Sequence, residues 1–312
     1  MSTTLAPPAP PTSPAPAAVP ASDGPRPDRP RPDRPRLVGA CLAITAALLL
    51  GLLLELGPLG ALRHLRDHET GYAELRESLA LGTTPIGQLD HDGRPVEPGT
   101  PVALLEVPQL GLREVVREGT AGGVLEAGPG HRRDTPMPGQ AGTSVLLGRQ
   151  AGYGGPFAAL RELRTGETFT VTTGQGKHRF RIIDVRRAGD PVPAAAKEGA
   201  GRLVLVTGDG PRYAPAGTLL VDADLVTAVE PANARPLTAA ALPAAEQAMG
   251  TDNAAWTPLV LWGEALLLAA VGLSTAWARW GRRQAWAVGV PVVAALALAV
   301  ADQAVRLLPN LL

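Results

Sequence analysis

Three long apolar runs constrain any fold open to this chain. They cover Leu37–Leu56, Pro258–Ala278 and Gln284–Leu308. About 20 helical residues span the roughly 30 Å of a bilayer core, so each run is long enough to cross a membrane. Arg26, Arg29, Arg31, Arg34 and Arg36 precede the first run, and Arg279, Arg282 and Arg283 separate the second from the third. Loops rich in Lys and Arg stay in the cytoplasm. Both arginine sets then predict a three-pass protein of the plasma membrane. Its N-terminus is cytoplasmic and its residues between the first two runs are extracytoplasmic. A cleaved signal peptide is the rival reading of the first run, but the run is too long and no clear A-x-A site follows it. VGAC resembles a lipobox, yet Cys41 opens the apolar run instead of closing it, which argues against lipidation. Glu264, Asp302 and Arg306 are charged residues inside or near the later runs. A lone charge in lipid is costly, so helix–helix contact is the favoured role for Glu264 over proton transport.

The remaining composition excludes several function classes. The 29 basic and 29 acidic side chains balance, which gives no ground for a nucleic-acid partner. The one cysteine, Cys41, excludes an intramolecular disulfide and argues against a Cys-ligated metal. The five histidines are His64, His68, His91, His131 and His178. His64 and His68 are spaced to share a helix face, but no third ligand is evident. No metal site and no cofactor are expected.

Between the runs the character of the chain changes repeatedly. Residues 1–36 are rich in Pro, Ala and Arg and read as a disordered cytoplasmic tail, partly polyproline II. A Pro-rich ligand for another module is the alternative. Residues 37–58 form the first transmembrane helix. Residues 59–100 combine an amphipathic stalk helix, with Leu62, Leu65, Tyr72, Leu75 and Leu79 near helical spacing, and a Gly/Pro linker. From 101 to 230, short apolar runs alternate with turns: VALLEV, REVV, TSVLLG, TFTVTT, HRFRIIDVRR, RLVLVT and TLLVDADLV. Such spacing predicts an all-β barrel or sandwich. A second linker (231–256) leads to transmembrane helices at 257–278 and 284–308, joined by a cytoplasmic loop at 279–283.

The β-region resembles the sortases of Gram-positive bacteria, particularly the actinobacterial class E. Four stretches carry the resemblance in order: PGTPVALLEVPQLGLREVVREGT, AGPGHRRDTPMPGQAGTSVLLG, YGGPFAALRELRTGETFTVTT and RLVLVTGDGPRYAPAGTLLVDADL. The implied fold is mainly β: a closed sortase-type barrel outside the membrane, with transmembrane α-helices on both sides. Sortases use a cysteine thiolate, a histidine and an arginine to cleave a sorting signal and pass the acyl group to an amine. Matched position by position, Arg149 stands at the histidine, Gly208 at the cysteine, and Thr218 or its neighbour Gly217 at the arginine. The resemblance therefore implies a catalytically degenerate member.

The rest of the candidate site is read from the residues around those three. Arg149, Tyr153, Thr207, Asp209 and Arg212 are candidate groove residues. Arg149 and Arg212 either make a positive groove for a carboxylate or are two solvated arginines. Thr207 and Ser144 are substitute nucleophiles in type, with Asp209 a weak base beside the site. His131 is read as structural, in a turn, and His178 as an exposed strand residue. The expected function is a pseudo-sortase that binds a peptide or protein of the cell envelope. Candidate partners are a sorting-signal peptide, a secreted or surface protein, or an active sortase. The alternative is a divergent transpeptidase or hydrolase that anchors surface proteins to the cell wall.

Overall fold

The computed structural model describes residues 34–233, 236–280 and 282–312. Residues 1–33, and with them most of the expected tail, lie outside that range, as does Gly281 of the expected loop. The chain divides into compact units at Ala43/Ile44, and the barrel belongs wholly to the second.

Helix α1 spans Arg34–Leu54, and its sequence is apolar from Leu37 onward. A wide turn at Glu55–Leu59 then bends the chain, because Pro58 lacks an N–H and Gly57 leaves helical geometry (φ −105°, ψ −108°). Helix α2, Gly60–Leu81, follows and stops where Gly82 takes the left-handed conformation (φ 68°). One side of α2 packs on the barrel: Leu75 meets Leu104 and Val115, with Tyr72 and Leu79 beside them. Among the described residues, three helical stretches are long and apolar enough to cross a membrane: Ile44–Leu81, Asn253–Leu273 and Trp286–Arg306.

The β-region is a closed eight-stranded barrel. The strands are β1 (Pro101–Val107), β2 (Leu112–Glu118), β3 (Gly130–His131), β4 (Gly142–Leu147), β5 (Thr168–Thr173), β6 (Gly176–Arg187), β7 (Gly201–Asp209) and β8 (Gly217–Leu225). A one-turn helix α3, Gly122–Leu125, lies between β2 and β3. Around the barrel the order is β1-β2-β3-β4-β7-β8-β6-β5, and β5 pairs with β1 to close it. The β2–β3 and β4–β7 pairs are parallel and the others antiparallel. The expected barrel is therefore the observed one. His131, expected in a turn, instead sits in β3 between β2 and β4.

Alternate residues point inward, as the two-residue period of a strand requires. Leu105, Phe169, Phe180, Ile182, Leu203 and Leu205 lie in one buried apolar cluster. Strand β7 is buried on both faces from Gly201 to Gly208. Its outward residues Val204 and Val206 are covered by a second cluster with Leu125, Leu147 and Leu311. Part of that cover comes from the stretch expected as a plain linker. It winds through single turns at Ala239–Ala241, Ala244–Glu246 and Asn253–Ala255, burying Leu242 and Glu246. Arg133 holds the Glu246 carboxylate through both Nε and Nη2. The Asp252 side chain then accepts from the Ala254 N–H ahead of helix α4 (Trp256–Trp280). Helix α5 covers Arg282–Arg306.

Candidate functional site

Strands β4, β7 and β8 bring the three matched positions to one end of the barrel. Gly208 and Thr218 are direct cross-strand partners in the β7–β8 register. The Gly148 N–H donates to the Val206 carbonyl at 3.0 Å, so the β4–β7 ladder runs one residue past the end of β4. Arg149 follows at once. A Cβ at Gly148 would lie 2.5 Å from the Phe157 ring, so only glycine fits there.

Arg149 turns away from solvent and is 1% exposed. Its Nη2 donates to the Gly122 carbonyl at 2.9 Å and lies 3.8 Å from the Glu126 carboxylate. Its guanidinium carbon is 4.9 Å from the centre of the Tyr153 ring. Burial holds the Arg149 pKa below its ordinary value, against the pull of Glu126. Burial likewise pushes the Glu126 carboxyl up to about 7, against Arg149. Tyr153, fully buried with φ 53°, donates its hydroxyl to Glu55 at 3.5 Å. Burial also raises its phenol pKa.

The other candidates lie around this end but do not converge. Thr207 is 1% exposed, on the inward row with Leu203 and Leu205, and its hydroxyl has no hydrogen bond among the described residues. Asp209 accepts from Arg187 Nε at 2.9 Å. Arg212 is exposed on the β7–β8 turn, with its guanidinium 5.6 Å from the Tyr213 ring centre. Arg149 is thus inside the protein and Arg212 outside it. Ser144 is buried on β4 on the inward row with Leu146, and its hydroxyl has no hydrogen bond among the described residues.

One feature of the site was not legible in the sequence. A Cβ at Gly208 would lie 3.0 Å from each of Gln150 Oε1, the Leu311 carbonyl oxygen and Pro215 Cβ. The Gln150 N–H donates to the Leu311 carbonyl at 3.0 Å, and the Gly152 N–H to the Leu312 carbonyl at 3.2 Å. Beside this contact the outer face of the barrel stays concave. A cavity of about 280 Å³ has Val145, Leu147, Val204, Val206 and Leu220 on its floor and Arg132 and Arg186 at its rim. Arg186 and Val204 also line a wider cavity of about 510 Å³ beneath the β6–β7 loop.

Residues 105–226, nearly the whole barrel, match the family model described as a sortase domain. The barrel is a sortase domain. Similar solved structures include a sortase E from Streptomyces avermitilis, 30% identical, covering 42% of this chain and 91% of that one (TM-score 0.37). A Clostridium perfringens sortase D5 transpeptidase is 19% identical over 52% of this chain and 99% of its own (TM-score 0.43). The SrtF sortase of Corynebacterium diphtheriae is 23% identical over 47% and 93% (TM-score 0.38). No curated protein matches the chain.

The histidines of this sortase domain do structural work or sit away from the matched positions. His131 is buried, with Nδ1 2.8 Å from Glu118 Oε2 and Nε2 3.0 Å from the Pro136 carbonyl. Two acceptors ask for two N–H donors, the imidazolium form. Burial opposes that charge, but Glu118 outweighs it and raises the pKa. His178, expected to be exposed, is 2% exposed. Its ring fills the space left by Gly139, where a Cβ would come within 2.6 Å, and it shares a 3.1 Å hydrogen bond with Thr173. The charge-rich run KHRF hid this, because His178 lies on the inward row of β6 while its neighbours point out. His64 and His68 share Glu114 at 3.2 and 3.4 Å. No cluster suited to a metal ion occurs among the described residues.

Proposed function

We propose that this chain is a non-catalytic sortase-fold protein of the cell envelope. Its barrel is held outside the plasma membrane by one helix before it and two after it, and it binds a peptide or protein partner. One observation carries the reading. The β7 position facing the groove is Gly208, opposite Thr218, while the single cysteine, Cys41, belongs to helix α1. Without a thiolate no thioacyl intermediate forms. The residue at the histidine position, Arg149, is buried and bonded to Gly122, so it is not free to move a proton. Replacement chemistry has little support. The Thr207 hydroxyl lies buried on an inward row, and the adjacent carboxylate, Asp209, is engaged by Arg187. Arg282 and Arg283 open α5, and basic residues at the end of a span favour the cytoplasmic side, which supports the orientation.

Incubating the full chain with sorting-signal peptides and an amine acceptor tests the first half of this reading. No turnover is expected. Turnover abolished by Thr207→Ala or Asp209→Ala would establish the divergent transpeptidase instead. Pull-down from envelope extracts tests the second half. Recovery of neither a surface protein nor an active sortase would remove the binding role.

A further inference from the structure

We propose that the segment Pro309–Leu312 is a built-in occupant of one end of the β4–β7 groove, which an extended apolar peptide must displace to bind. The proposal rests on the groove being a partner site. Past Arg306 the chain turns through a Leu308 N–H bond to the Val305 carbonyl at 3.0 Å and then runs onto the barrel. Asn310 anchors it. Its side-chain nitrogen lies 2.9 Å from the Thr120 carbonyl, 2.9 Å from that of Gln247 and 3.3 Å from that of Ala245. Its main-chain N–H donates to the Gly250 carbonyl at 2.9 Å.

The next two residues make the contacts of a bound peptide. The Leu311 side chain is fully buried against Leu125, Leu147 and Val206. The carbonyls of Leu311 and Leu312 are both taken by main-chain donors of the loop after β4, Gln150 and Gly152. The Leu311 carbonyl would lie 3.0 Å from a Cβ at position 208. Glycine at position 208 is therefore what lets the segment sit so close, and a side chain there would require the Leu311 carbonyl or its neighbours to give by a few tenths of an ångström. The glycine at 208 and the seated segment thus meet in one tight contact.

The segment covers only part of the groove. Leu147, Val204 and Val206, which cluster with Leu311, also line the cavity that stays open beside it, together with Val145 and Leu220 and with Arg132 and Arg186 at the rim. A tethered ligand acts at an effective concentration of order millimolar. A short competitor is therefore outcompeted, whereas a longer peptide that also uses the open floor gains contacts the segment does not make. The occupant also defines the chemistry of its rival: a leucine-like side chain followed by carbonyls free to accept from Gln150 and Gly152.

Residue-resolved hydrogen exchange on the full chain in micelles, wild type against Leu311→Asp and Asn310→Ala, tests the occupant. The amides of Gln150 and Gly152 should be protected in the wild type and exchange at least tenfold faster in both variants. Protection of β5 and β6 should be unchanged, which excludes unfolding. If Leu311→Asp also loosens β5 and β6, the milder Asn310→Ala decides. Fast exchange at both amides in the wild type, or no change in the variants, overturns the proposal. Competition is read with a fluorescent peptide of residues 305–312, titrated to millimolar concentration. Leu311→Asp should bind it at least tenfold more tightly than the wild type, and equal binding or none overturns displacement. If both arms succeed while envelope pull-down recovers nothing, the partner role falls and the occupant stands.

Discussion

The inside of the barrel and its β4–β7 end are built to different standards. Inside, Phe169 and Phe180 stack at 5.7 Å between ring centres, among Leu105, Ile182, Leu203 and Leu205, none of which exposes surface worth counting. At the end, polar atoms are buried without hydrogen bonds among the described residues: Arg149 Nε and Nη1, Gln150 Oε1, Thr207 Oγ1, Glu126 Oε1 and Asn310 Oδ1. Each such group costs about 1–3 kcal/mol. The interior is packed as a scaffold is. The end carries polar groups whose cost packing does not recover, as binding and catalytic sites do. This sortase domain, whose own residues include no cysteine, carries an expensive end beside an inexpensive interior.

The contrast breaks first if the interior tolerates truncation. Phe180→Ala removes a fully buried ring that stacks on Phe169, and should cost about 3–5 kcal/mol of unfolding free energy. Thermal or denaturant unfolding of the full chain in micelles measures it. A cost under about 1 kcal/mol would mean that the barrel is not the rigid scaffold its packing describes.

Most of that scaffold was legible in the sequence. Seven apolar runs became β1, β2 and β4–β8, because short apolar stretches bounded by Gly/Pro turns read as strands: β5 and the start of β6 show the two-residue period, while β1 and β7, buried on both faces, read as continuous runs. The eighth strand, β3, was not legible, since two residues carry no period; Gly130 and His131 are a strand only because β2 and β4 lie on either side. His178 misled for a related reason. Its neighbours Lys177 and Arg179 are charged, and only the register places the ring inside, at Gly139. Motif order assigned the three matched positions along the chain, yet it said nothing of their surroundings. Nothing local says that Arg149 points inward to Gly122, or that residues about 100 further on, at Leu311, close over Gly208. Contacts at long sequence separation leave no periodic trace.

The next break concerns the charge at the polar end. Burial raises the Glu126 carboxyl to about 7 from an ordinary 4.5, with Arg149 opposing. A carboxyl whose folded pKa lies above its unfolded one favours the folded state below the unfolded value. That favour is lost as pH rises from about 4.5 to about 7. The loss is on the order of 3 kcal/mol by pH 8. Glu126 is 14% exposed, so solvent screens little of it. Melting curves of the wild type should fall between pH 5 and pH 8, and those of Glu126→Gln should be flatter across the same window. His131 tilts the wild-type curve the same way, since its raised pKa gives stability that is lost on the alkaline side. The difference between wild type and Glu126→Gln isolates the carboxyl. Equal slopes would place Glu126 in water and remove it from the comparison.

The smallest effect is also the sharpest, because it sets the two regions against each other at one residue. Thr207 lies on the inward row of β7, two residues beyond Leu205, but at the polar end of the barrel. Its hydroxyl is buried and unbonded. If that hydroxyl serves no chemistry, Thr207→Val exchanges an unsatisfied polar group for a methyl of nearly the same shape. Stability should then rise by about 1 kcal/mol, with partner capture unchanged. Were Thr207 a working nucleophile, the same variant would gain stability and lose turnover together, the trade expected when a strained functional group is removed. A loss of stability would mean that the hydroxyl is hydrogen-bonded in solution, and the barrel end would be less costly than its buried polar atoms make it.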